Sequence, residues 1–364
     1  MEPVKSFKLK GDIPAWIEKL SATNLLAQQK AFSETKFCIT PNCEESKFQW
    51  CHVIPGASQL SQIAESGKVC WIPMRERDRW RLHAFFWSEA PIASTLVFRG
   101  FCNKCDNRIF QKIDTSLSLD QETIFLLAYR AFSYYNWRFE VDFNSVKNRK
   151  RIMKEMQAKN PDIPKLKENF GRVHQSDVDR LSFLKDDYTK MTKYMQNALN
   201  KKNYNFIKTK IYDFDKNLPL RFSLAATFGN SLLNEEITID RAEHPPSPML
   251  FMHILNVGNT CKLIFSWLSS IPKRFPDKFL QQLEEFSESG HLADVLMRYM
   301  FVSNHGLVFK PSFQKKFGYE GSNYLTIPLA GQFYHGFRAE MTRICSPPYF
   351  QWNWKIRDVT NDYI

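Results

Sequence analysis

The sequence predicts an α+β protein in three parts, and three observations carry that prediction. Six of the eight cysteines fall between Cys38 and Cys105. A helical spacing of aromatic residues and methionines begins at Ser118. Apolar and alternating stretches of strand length follow Asn203. The expected boundaries are 1–117 for a small cysteine-rich domain, 118–203 for a helical hairpin and 204–364 for a mixed α+β region. A chain of 364 residues can bury more than one core, and 43% hydrophobic with 24% charged residues excludes wholesale disorder.

The first part combines cysteines with aromatic residues, Gly and Pro between about 30 and 115, a composition of short strands and loops. Its start, "MEPVKSFKLKGDIPAWIEKL", lacks the apolar stretch of a signal peptide, and no later run approaches the roughly 20 residues that span a bilayer. The expectation is a cytoplasmic protein with no membrane partner, in which clustered cysteines bind metal in preference to forming disulfides. Cys38 and Cys43 enclose four residues, and "GFCNKCDN" holds Cys102 and Cys105 two residues apart. Thiolates at such spacings reach one tetrahedral zinc from a tight knuckle, and two knuckles close a structural site. Cys38, Cys43, Cys102 and Cys105 are the expected zinc ligands, with Cys51 as substitute; the alternative is a group of buried thiols. Cys261 and Cys345 read as small buried side chains.

In the second part, "SLDQ" at Ser118–Gln121 reads as a capping box, and Phe125, Ala128, Phe132, Tyr135 and Phe139 follow at three- and four-residue spacing. A second helix is expected after "HQSDVD", with Leu181, Leu184, Tyr188, Met191, Met195 and Ala198 on one face. "NPDIP" at 160–164 separates the two, because proline disfavours helix in the residues before it. The stripes read as a packing core in preference to a base-stacking surface. In the third part, "NFIKTKIYDF", "RFSLAATF", "MLFMHILNV" and "CKLIFSWL" read as strands, "PDKFLQQLEEFSE" and "HLADVLMRYMF" as helices, and "RAEHPPSPM" as a Pro-rich loop.

A net charge of +12 favours a polyanionic partner, with nucleic acid, DNA or RNA, ahead of an acidic membrane surface. Residues 147–173 carry nine basic and three acidic side chains, half of that excess. Lys147, Arg149, Lys150 and Arg151 are therefore either a phosphate-tracking surface or a solvated helix face. Arg75, Arg77, Arg79 and Arg81 alternate with other residues, which in an extended segment puts them on one face able to follow a phosphate backbone. Trp80 and Trp87 nearby are candidates for stacking on unpaired bases, and an exposed mixed-charge loop is the other reading.

The succession of a cysteine knuckle, "CHVIP" and "GFCNKCDN" resembles the zinc-bearing branch of the HNH nucleases, the ββα-metal family, over residues 35–115. The resemblance implies a small zinc-stabilised, ββα-metal or treble-clef-like domain that hydrolyses phosphodiesters. It implies His52 as the general base that activates water and a separate Mg²⁺ or Mn²⁺ at the phosphate. Asp106 stands where that branch carries its last metal-ligating histidine, and a carboxylate suits a hard cation. The chain departs from the pattern at Cys51, where a polar or acidic residue is usual, and lacks the asparagine before the second knuckle. His52 alone also fits a zinc ligand or a histidine satisfied beside the site. A nuclease of this kind is toxic unrestrained, which implies a defence role gated by a regulatory protein partner. The rival reading is a catalytically inactive zinc module for nucleic-acid or protein binding. No phosphate-binding glycine loop, dinucleotide fingerprint, HExxH or GxSxG is present.

Overall fold

The computed structural model describes residues 15–45, 47–71, 88–159, 164–227, 249–271, 274–303, 306–313, 315 and 354–363. The chain begins with α1 (Ala15–Glu34), followed by β1 (Cys51–His52), β2 (Lys68–Trp71), β3 (Ser88–Pro91) and β4 (Val97–Phe98). Three helices follow: α2 (Asn103–Thr115), α3 (Gln121–Lys159) and α4 (Pro164–Lys201). The remainder is β5 (Ile207–Phe214), β6 (Leu220–Thr227), β7 (Met249–Val257), β8 (Thr260–Leu268), α5 (Arg274–Glu288), α6 (Leu292–Ser303), β9 (Leu307–Phe309) and β10 (Ile356–Tyr363). The α+β class is as expected, and so is every helix and strand read in the third part; "RAEHPPSPM" lies outside the described residues except for its last, Met249.

Two features of the helical hairpin differ from expectation. The cap of α3 is Asp120, whose Oδ1 accepts the Thr123 N–H at 2.9 Å; Ser118 instead donates its hydroxyl to Asp120, so no Ser–Gln box forms. The second helix starts at Pro164, well before "HQSDVD". A proline that stops one helix is well placed to open the next, because its missing N–H is one of the donors a first turn leaves unused.

The two helices pack through the predicted stripes. Tyr188 of α4 meets Phe139 of α3 with ring centroids 4.5 Å apart, and Tyr135 at 5.6 Å. Phe125, Ala128 and Phe132 are fully buried. Every residue from Thr123 to Tyr134 is buried, however, so this N-terminal part of α3 is enclosed on all sides. Trp137 donates its indole N–H to the Thr35 carbonyl at 2.9 Å, tying α3 to the end of α1.

Among the described residues all strands but β1 and β4 join one eight-stranded sheet of order β10-β5-β8-β7-β6-β9-β2-β3, antiparallel throughout. The continuous apolar run of β7 is buried from Met249 to Asn256, as expected for a central strand covered on both faces. Phe279 of α5 stacks on Phe265 of β8 at 4.9 Å, covering one face. Strands β2 and β3 come from the cysteine-rich segment, and β2 pairs with β9 through Cys70–Phe309 and Trp71–Val308. One sheet thus joins segments on both sides of the boundaries expected at 117 and 203.

Candidate metal centre

Around the cysteines the chain forms two short antiparallel strands and a helix. β1 pairs with β4 in the register Cys51–Phe98 and His52–Val97, and α2 follows directly. The first knuckle is docked on this unit by Phe37 N–H to Arg99 O (3.2 Å) and Ile39 N–H to Gly100 O (2.9 Å). Asn42 turns the knuckle with φ +54°, in the left-handed region that asparagine tolerates, and so returns Cys43 toward Cys38.

The second knuckle coincides with the start of α2. Cys102 is its N-cap, and its sulfur accepts the Cys105 N–H at 3.3 Å. The side-chain sulfurs of Cys38, Cys43, Cys102 and Cys105 lie within 4.8 Å of one another, with Cys43–Cys102 at 3.6 Å and Cys43–Cys105 at 3.7 Å. Disulfide sulfurs sit at about 2.05 Å, and these cysteines are free. Sulfurs held about 2.3 Å from one tetrahedral ion are about 3.8 Å apart, which matches the cluster.

The donor set suits zinc chemically as well. Burial pushes the Cys105 thiol up to about 12, which keeps it protonated in the absence of a nearby cation. A dication reverses that balance and deprotonates the thiols. The first-turn amides of α2 and the Arg108 guanidinium, 4.0 Å from the Cys105 sulfur, add positive potential. Zinc here would act as a structural clamp between a loop and a helix distant in sequence. Cys51 stands apart: fully buried, its thiol points to the carbonyls of Gln49 and Phe101 at 3.8 and 3.9 Å. Cys261 is buried as expected, and Cys345 lies outside the described residues.

His52 is half-buried beside Gly56, and its Nε2 lies 2.9 Å from the Ile92 carbonyl. A carbonyl only accepts, so Nε2 carries the proton and Nδ1 presents the lone pair in the neutral ring. Asp106 occupies the first turn of α2 and is 8% exposed. Its Oδ2 accepts the Gln49 side-chain N–H at 3.1 Å, and its Oδ1 lies 3.9 Å from the Arg130 guanidinium. Burial holds its carboxyl above the usual range, against the pull of Arg130. Arg130 of α3 is itself 1% exposed, bidentate to Asp114 at 2.6 and 2.7 Å, and lies over the Phe110 ring at 4.2 Å. The side chains of His52 and Asp106 thus bond to different partners.

Of the basic residues on α3, Lys147, Lys150 and Arg151 are exposed, whereas Arg149 is 7% exposed and turned inward. Arg75, Arg77, Arg79, Arg81, Trp80 and Trp87 lie outside the described residues. Arg130 and Gln49 escaped the sequence reading; an arginine in the middle of the apolar run "FLLAYRAFSYY" is the signal that points to it. No protein-family model, curated protein or solved structure matches the chain. Among the described residues no helix is long and apolar enough to cross a membrane.

Proposed function

We propose that the chain binds nucleic acid through the basic face of α3, and that the zinc-clamped ββα module beside it carries incomplete hydrolytic machinery. The observation that carries this reading is the commitment of Asp106. A carboxylate that ligates a catalytic dication needs an open, ionised oxygen; here Oδ2 accepts from Gln49, and Oδ1, which has no hydrogen-bond partner, is buried and faced by the fixed cation of Arg130 at 3.9 Å. Cys51, with its buried thiol, stands where the resembled family places a polar or acidic side chain. The net +12 charge and exposed Lys147, Lys150 and Arg151 support a polyanionic partner.

The test is binding to single- and double-stranded DNA and RNA over a series of salt concentrations, alongside incubation of plasmid and single strands with Mg²⁺ or Mn²⁺. Replacing Lys147, Lys150 and Arg151 together by Gln is expected to reduce the slope of log K against log salt by about 2.7, if each meets one phosphate of duplex DNA. Divalent-dependent nicking that His52→Ala abolishes at unchanged zinc content would overturn the inactive reading.

The nuclease reading has its own support in the His52 ring, whose hydrogen bond to Ile92 leaves Nδ1 to accept a proton from water. In that reading Asp106 must leave Arg130 when Mg²⁺ or Mn²⁺ and the phosphate arrive.

A further inference from the structure

A cleft of about 720 Å³ opens at the seam between the zinc module and the sheet, lined by Gln62 and Ile63 from the former and Asn217, Arg221, Asn256 and Lys310 from the latter. Its β7–β8 rim is a two-residue turn with Gly258 at φ +62°, a conformation that keeps the hairpin tight beside the opening.

Two side chains in this wall are almost wholly buried and incompletely satisfied. Arg221 is 1% exposed. Its Nη1 donates to the carbonyls of Leu218 and Leu220 at 3.0 and 2.7 Å and its Nη2 to Gln62 Oε1 at 3.0 Å, while Nε–H has no partner. No carboxylate among the described residues pairs with it, so among them this buried positive charge has no counter-ion. Asn256 is 8% exposed; its main chain exchanges two hydrogen bonds with Gln59 at 2.8 Å, its Nδ2 donates to Gln62 Oε1 at 2.6 Å, and its Oδ1 is buried without a partner. Because Gln62 Oε1 receives both Arg221 and Asn256, the unpaired cation and the unpaired acceptor stand side by side. Lys310, 43% exposed at its side chain and 3.5 Å from Glu65, brings a second positive charge to the rim.

We propose that this cleft binds a nucleotide, with Arg221 and Lys310 taking the phosphate and Asn256 Oδ1 accepting an N–H of the base. The volume falls within the range of pockets that enclose small organic ligands. A guanidinium and an ammonium together suit a phosphate, and an asparagine amide matches the donor edge of a base such as adenine. This site is separate from the basic face of α3 and does not rest on nucleic-acid binding there.

Calorimetry and thermal unfolding of the full chain with AMP, adenosine and inorganic phosphate test it. AMP is expected to bind and raise Tm, with adenosine and phosphate each weaker by about tenfold or more. Lys310→Ala is expected to weaken AMP about tenfold, the loss of one charge-assisted contact. Asn256→Asp places a carboxylate beside Arg221. It is expected to abolish AMP binding while raising the Tm of the ligand-free protein, which also establishes that this variant folds. No binding of AMP to the wild-type chain, phosphate bound as tightly as AMP, or undiminished AMP binding by Asn256→Asp would overturn the proposal.

Discussion

Replacing Arg130 by Met removes the only cation close to Asp106 among the described residues while preserving most of the side chain's volume. The Arg130 side chain is 2% exposed and that of Asp106 11%, whereas Asp114 is 36% exposed and keeps access to water. The loss therefore falls on Asp106, left as a buried carboxylate without its counter-charge, a change that destabilises by about 3–5 kcal/mol. The stacking of the guanidinium on Phe110 adds about 0.5–1 kcal/mol more. Urea unfolding of zinc-loaded protein measures the difference. Asp106→Asn in the Arg130→Met background removes the stranded charge and is expected to recover about 2 kcal/mol or more. The pH dependence has a definite sign. Burial already raises the folded pKa of Asp106, and without Arg130 it rises further. The folded state then holds a proton that the unfolded chain releases near pH 3.9, so stability is greatest below that value and falls as pH rises through the folded pKa. The deficit of Arg130→Met is accordingly larger at about pH 7.5 than at about pH 5. A variant within about 1 kcal/mol of wild type, or a double variant as unstable as the sum of the single ones, would refute the view that Arg130 neutralises Asp106.

Metal analysis of the purified chain is expected to find one zinc, and Cys102→Ser or Cys105→Ser to lose it together with the start of α2, whereas Cys70→Ser, away from the cluster, keeps it. Asp120→Ala is expected to cost about 1 kcal/mol at neutral pH through loss of the α3 cap. Although burial raises the Asp120 carboxyl, hydrogen bonds from Ser118, Lys112 and the Thr123 N–H hold it below the usual range, so this difference from wild type shrinks as pH falls below about 4. Gly306→Ala would bring a methyl group to 1.7 Å from the Ser223 carbonyl oxygen, where β6 and β9 meet. A loss of about 3 kcal/mol or more in chemical unfolding is expected, since backbone cannot yield as a side chain does.

The four-cysteine cluster was legible because cysteines that converge on one point show in local spacing: Cys38–Cys43 and Cys102–Cys105 are each pairs that a single turn can close. The strands from β5 to β8 were legible because a strand's burial follows from its own alternation or continuous apolarity. Pro164 misled because proline marks a helix start as readily as a stop, and only the geometry of its neighbours decides between them. The pairing of Cys70 with Phe309 left no mark at either end, since strand partners far apart in sequence share no local signature. The placement of Arg221 beside Asn256 was equally hidden: each is an ordinary polar residue in its own strand, and Gln62, from a third segment, brings them together.

The pairing of β2 with β9 has a consequence for biosynthesis. The cysteine-rich segment leaves the ribosome long before Leu307–Phe309 does, so the nascent protein emerges with β2 lacking one of its two neighbours. At that stage its bare strand edge is open to adhesion with other chains. Chaperone demand during translation, and loss of yield when synthesis is interrupted before residue 309, follow from where that last partner is encoded.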